Sequence, residues 1–154
     1  MMMRKFWPLL MAGSVGAMSV QAAPVDTHEL LVGSYTAGSS EGIYRLQFDS
    51  RTGRFQGQPV LAAKAANPSW LTVSRDQSRL FVVNENGPGQ KDPVGRVSSY
   101  RIDPKNHQLT LINQVQSLGS EPTHSSVAAD GRYLFVANYS GDAQPGGLLT
   151  VLPV

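Results

Sequence analysis

The chain has 154 residues, with 13 Lys+Arg, 11 Asp+Glu and no cysteine. The missing cysteines exclude disulfides, thiolate catalysis and cysteine-ligated metals. The net charge of +2 comes from Arg4 and Lys5, because beyond residue 22 the chain carries 11 residues of each sign. No basic cluster with interleaved aromatics points to a nucleic acid, and no like-charge run points to a membrane surface.

Residues 1–22 read as a secretory signal peptide. Arg4 and Lys5 precede the mostly apolar stretch Phe6 to Val15, and Val20-Gln21-Ala22 offers small residues ahead of a cleavage after Ala22. A membrane anchor is the alternative, but the apolar run falls short of the roughly 20 residues that span a bilayer. The expected product is residues 23–154, exported to the periplasm or the medium and free of the membrane after cleavage.

Beyond it the apolar segments are short, alternating and separated by turn residues. Leu30–Tyr35 reads as a strand, and Ile43–Phe48 as another that ends at the turn Asp49–Gly53. Phe55–Leu61 is a weaker strand. Trp70–Ser74, the turn Arg75–Ser78 and Leu80–Asn84 follow, then the polar, Gly/Pro-rich loop Glu85–Gly95. Val97–Ile102, Leu109–Val115, His124–Ala128, Tyr133–Asn138 and Leu148–Leu152 complete the series. Strands at this spacing, bounded by Gly, Pro, Asn, Asp and Ser, indicate an all-β fold, and no window holds a helical period.

The series repeats. Pro68 and Pro122, Asp76 and Asp130, Leu80 and Leu134, and Asn84 and Asn138 are each 54 residues apart, as are Asp49 and Asp103 upstream. A fixed period of this size marks a repeat architecture. Each unit holds about four strands, which suits the blades of a β-propeller. Lettered A to D outward from the axis, Trp70–Ser74 is A, Leu80–Asn84 B, Val97–Ile102 C and Leu109–Val115 D. The first copy begins at B, and Val154 falls partway through the third. The recurring Asp49, Asp76, Asp103 and Asp130 read as turn residues, with Gly53 and Gly131 at positive φ in the same turns. His28 and His107 receive no role.

Gly33-Ser34-Tyr35-Thr36, Gly42-Ile43-Tyr44, Asn67-Pro68-Ser69, Val83-Asn84-Glu85, Gly119-Ser120-Glu121-Pro122-Thr123-His124 and Val136-Ala137-Asn138-Tyr139 together resemble the seven-bladed propeller lactonase family. That family includes bacterial 6-phosphogluconolactonase and fungal carboxy-muconate lactonizing enzymes. The resemblance runs from Glu29 to Val154. It implies about 2.4 blades of a seven-bladed ring, a monomer when the ring is closed, and hydrolysis of a small sugar lactone without a cofactor. It also implies that the arginines and the acidic residue used in the lactonizing branch lie beyond the equivalent of Val154. A partial ring leaves strand edges and blade faces uncovered, so the chain alone is expected to be poorly soluble or mostly unfolded, and inactive.

Because A and B are antiparallel, the start of A and the end of B share one rim. That rim gathers Trp70 and His124 at matching positions, with Asn84, Glu85, Asn138, Tyr139 and Tyr35. The resemblance implicates His124 as a general base that takes a proton from water attacking a lactone carbonyl; packing at a strand start, as for Trp70, is the alternative. Glu85 either orients the imidazole, binds substrate hydroxyls, or bonds backbone N–H groups in its own loop. Asn84 and Asn138 either donate to a developing oxyanion or fix turns. Tyr35 and Tyr139 either line the channel or pack between blades. A phosphorylated substrate calls for cationic clamps, and none falls at this rim. No metal is expected, since the three histidines lack ligand spacing, and no phosphate-cradling glycine loop precedes a helix. A non-catalytic propeller that binds a ligand or protein is the alternative function.

Overall fold

Ten antiparallel strands account for the regular structure in the computed structural model, which describes residues 26–91, 93–141 and 147–154. The expected signal peptide lies outside the described residues. The strands are β1 (Thr27–Gly33), β2 (Gly42–Asp49), β3 (Arg54–Lys64), β4 (Pro68–Val73), β5 (Arg79–Asn84), β6 (Arg96–Ile102), β7 (Leu109–Gln116), β8 (Ser120–Val127), β9 (Tyr133–Ser140) and β10 (Leu149–Pro153). They form three sheets, β1-β2-β3, β4-β5-β6-β7 and β10-β9-β8. These are strands B to D of one blade, a complete second blade, and A to C of a third.

Every expected strand forms, but the two A strands begin earlier than the sequence suggests, at Pro68 and Ser120 rather than at Trp70 and His124. Proline argues against a strand because it lacks an N–H. Here each proline sits beside a slip in register, between Pro68 and Trp70 in β4 and between Pro122 and His124 in β8, where no ladder bond is lost. The repeat also governs the backbone. Left-handed residues recur 54 apart as Asn67 and Glu121, Gln77 and Gly131, and Gly53 and His107. His107 thus occupies the turn position that a glycine fills one copy earlier.

The two apolar cores are the two seams between blades. β5 is buried on both faces, so its run Leu80-Phe81-Val82-Val83 is continuously apolar instead of alternating. Leu80 and Val82 join Ile43 and Tyr100 on the first-blade side. Phe81 and Val83 join Val97, Leu134 and Val136 on the third-blade side. At the first seam Gly33 meets the start of β4 so closely that a Cβ there would lie 2.0 Å from the Pro68 carbonyl oxygen. Gly33→Ala is therefore expected to destabilise the complete protein by about 1–3 kcal/mol, measured as a lowered denaturation midpoint.

Polar contacts stitch the first seam at the rim that carries the A–B and C–D turns. Arg45 donates to the carbonyls of Asn106 (3.3 Å) and His107 (2.7 Å) and pairs with Glu29 at 3.4 Å. The Glu29 carboxylate also lies 3.0 Å from His107 Nδ1. The A–B turn at Asp76 is closed by its carboxylate, which accepts from Ser74 Oγ (2.7 Å), Ser78 Oγ (2.8 Å) and Ser78 N (3.1 Å). The bond from Ser74, then those from Ser78, hold the Asp76 carboxyl down at about 2. A carboxyl held below its unfolded value of about 3.9 contributes stability at higher pH and loses it as pH falls through the folded value. The thermal midpoint of the complete protein should therefore fall as pH drops from about 4 towards about 2, and Asp76→Asn should flatten that part of the acid titration.

Candidate functional site

The opposite rim collects the entries of the A strands, the exits of the B strands and the B–C loops. The bulges after Pro68 and Pro122 set Trp70 and His124 at equivalent points of neighbouring A strands, and the two side chains touch. Their ring centroids are 4.4 Å apart at an interplanar angle of 46°. Trp70 is anchored from behind, donating through Nε1 to the Ser125 carbonyl at 3.0 Å. Thr72 Oγ1 donates to the same oxygen at 2.9 Å. The His124 imidazole is exposed and makes no hydrogen bond to a described residue. Its ring meets the Trp70 ring at a tilt, and both nitrogens are open to a ligand or a water. Trp70 stands at the top of an open groove between β4 and β8 that runs down to the turns at Asp76 and Asp130.

The B-strand exits supply the next group. Gly33 pairs with Ile43 as Val83 pairs with Val97, so Tyr35 stands to β1 as Glu85 stands to β5. Tyr139 follows 54 residues after Glu85. Three successive copies therefore read Tyr, Glu, Tyr at one position. Tyr35 Oη donates to Glu85 Oε2 at 2.7 Å across the seam. That bond, then burial and the carboxylate charge, raise the Tyr35 phenol above its ordinary value. Tyr35 is thus a neutral donor and not a base. Tyr139 is 78% exposed and projects from the rim of the third blade. Glu85 is half-buried and forms no hydrogen bond to His124, so the imidazole is not oriented by that carboxylate in this arrangement.

Sequence reasoning gave Asn67 no role beyond its motif, yet it is the hub of this rim. Its Oδ1 accepts from Thr36 N (3.0 Å) and Thr36 Oγ1 (3.1 Å) of the first blade. Its Nδ2 donates to Asn86 Oδ1 (3.1 Å) and Gln90 Oε1 (2.8 Å) in the second blade's B–C loop. Its carbonyl accepts from Glu85 N at 2.9 Å, and Gln90 Nε2 donates to the Glu85 carbonyl at 3.3 Å. The left-handed φ of 41° at Asn67 suits an Asn, whose side chain bonds locally. The available signal was that asparagine directly before Pro68, at the seam between two units.

Asn84 and Asn138 do not face the opening, and this corrects their expected placement among substrate-binding residues. Asn84 has no exposed surface. Its Nδ2 donates to the Ala66 carbonyl at 2.6 Å, and its Oδ1 accepts from Ser98 Oγ (2.7 Å) and Gln114 Nε2 (3.3 Å). Asn138 is likewise buried, with Nδ2 within bonding distance of the carbonyls of Ser117 (3.2 Å) and Gly147 (2.8 Å). A strand end buried between sheets leaves loop carbonyls without water, and an inward amide satisfies them. Among the described residues no three His, Asp or Glu side chains gather as a metal would require. Lys64, at this rim, is paired with Glu41.

The family model for the lactonase seven-bladed β-propeller matches residues 29–154. The periplasmic gluconolactonase PpgL of Pseudomonas aeruginosa superposes with a TM-score of 0.74 at 53% identity, over 83% of this chain and 35% of that one. The 6-phosphogluconolactonase of Bacillus subtilis strain 168 is 34% identical over 123 residues, 80% of this chain and 32% of its own length. That of Formosa agariphila is 29% identical over 112 residues, 72% of this chain and 31% of its own. The chain thus spans about a third of the length of these relatives. The 54-residue period, the antiparallel blades packed seam to seam and a family match over residues 29–154 agree: this chain belongs to the seven-bladed β-propeller lactonase family.

Proposed function

We propose that the protein carrying this chain hydrolyses a sugar lactone, with His124 as general base. The observation that carries the reading is the exposed His124 imidazole, which meets the Trp70 ring at a 46° tilt and makes no hydrogen bond to a described residue. A water held by one ring nitrogen gives up its proton as its oxygen attacks the lactone carbonyl. The imidazolium then returns the proton to the ring oxygen as the acyl–oxygen bond breaks, yielding the hydroxy acid. Glu85, Tyr35 and Tyr139 bind the hydroxyl-bearing part of the substrate, while Asn84 and Asn138 act from behind by fixing the strand ends.

Export through residues 1–22 favours a lactone available outside the cytoplasm, and the name of the Pseudomonas aeruginosa relative agrees with this. The site needs no cofactor or metal in this scheme, and the closed ring works as a monomer. The second reading is a propeller that binds a ligand on this rim without turning it over. It draws on one feature, the absence of a described hydrogen-bonding partner to orient the His124 ring. Assay of the complete protein with glucono-δ-lactone and its 6-phosphate separates the two readings. Hydrolysis above background that is lost in His124→Gln supports the first, and binding without turnover supports the second.

A further inference from the structure

We propose that Tyr35 is a positioning residue that holds the Glu85 carboxylate as a reader of substrate hydroxyls, selecting polyhydroxylated lactones over unsubstituted ones. This deepens the lactone reading above and rests on it for the reaction, though not for the binding.

A glutamate that follows a strand commonly serves its own loop by accepting backbone N–H bonds. Glu85 does not. The loop after it is held by other groups: Asn67 Nδ2 on Asn86 and Gln90, and the Glu121 amide on the Asn86 carbonyl at 2.9 Å. The Glu85 backbone is fixed on both sides, by the Asn67 carbonyl at its N–H and by Gln90 Nε2 at its carbonyl. The side chain is therefore spared from structural service. Its hydrogen-bond partner is the phenol of Tyr35, which reaches it from the neighbouring blade at 2.7 Å.

An ionised carboxylate only accepts, through two oxygens and about four lone-pair directions. Tyr35 takes one direction on Oε2 and, as a neutral donor, neither quenches the charge nor fills the other oxygen. What remains is an aimed acceptor on the rim that carries His124. A vicinal diol donates well to such a group. A phosphate or carboxylate is repelled by it, so the part of the ligand that meets Glu85 is hydroxylated and uncharged. Tyr35, Glu85 and Tyr139 occupy equivalent positions in successive blades, and Tyr35 and Tyr139 are both largely exposed, rings of the kind that pack on sugars.

The test uses the complete protein with glucono-δ-lactone and δ-valerolactone, which shares the ring and lacks the hydroxyls. Tyr35→Phe should lower kcat/KM for glucono-δ-lactone about 3- to 10-fold, mainly through KM, by loosening the carboxylate. Glu85→Gln should lower it about 10- to 100-fold by removing charge-assisted bonds. Hydrolysis of δ-valerolactone should stay within about twofold of the parent in both variants, because no hydroxyl is there to be read. Tyr35 is 54% exposed, so Tyr35→Phe should also melt with the parent. Parallel loss on both lactones, or loss on neither, overturns the proposal. If the parent hydrolyses neither lactone, the lactone reading fails and calorimetry with the non-hydrolysable D-glucono-δ-lactam decides this one. Binding that weakens in Tyr35→Phe sustains it, whereas no binding, or equal binding, overturns it.

Discussion

His124→Gln in the complete protein should lower kcat for lactone hydrolysis by about 10²- to 10⁴-fold and leave KM within a few-fold, the usual contribution of a positioned general base. Glutamine keeps the reach and one polar contact of the imidazole but cannot accept a proton at neutral pH. Since the ring is exposed and its contact within the described structure is the Trp70 ring, the substitution removes chemistry with little cost in packing. A matching pattern is expected of Trp70→Ala at smaller amplitude, because it frees the ring without removing it. Steady-state rates at saturating and limiting lactone measure both parameters. A near-normal kcat for His124→Gln would refute the general-base role, and an equal fall in stability would reassign His124 to packing.

Asn84→Ala should cost the complete protein about 2–4 kcal/mol, among the larger single-site effects available to it. The truncation strands the Ala66 carbonyl and leaves Ser98 Oγ and Gln114 Nε2 without the acceptor they share. Ser98 and Gln114 remain bonded to each other at 2.8 Å, which softens the loss and keeps the estimate below the sum of three orphaned groups. Denaturant unfolding measures the shift, with the midpoint lowered and the slope unchanged. Lactone turnover per folded molecule should hold. A fall in turnover at unchanged stability would return Asn84 to the substrate, as a donor at the opening.

Much of the fold was legible because its signals are local. Alternation at Ile43–Phe48 and the turn residues at Asp49 and Asp76 name strands and corners without reference to anything distant. The period carried the rest, including left-handed backbone at Gly53 and Gly131, whereas the left-handed His107 emerged only in the structure. The site was legible only in outline. That A entries and B exits share a rim was legible from antiparallel pairing, and there the structure brings Trp70 to His124 and Tyr35 to Glu85. Which way Asn84 and Asn138 turn was not, since either direction suits a polar residue at a strand end. The work done by Asn67 was hidden as well, because its partners Thr36 and Gln90 lie 31 residues before it and 23 after it.

The amino-acid sequence by itself determined the all-β class, the unit length, the positions of the turns and the family, since these depend on residue type and spacing along one chain. Only the tertiary structure decided what each repeat position does. Phe81 and Phe135 are the same residue in the same motif; Phe81 is 4% exposed because the third blade covers it, and Phe135 is 39% exposed in the last blade of this chain, with no further described blade beside it. The physical reason is that a blade face is buried by its neighbour and not by its own strand. The same holds at the rim: the Tyr35–Glu85 bond spans 50 residues and the Trp70–His124 contact 54, distances that only the stacking of one blade on the next brings to zero.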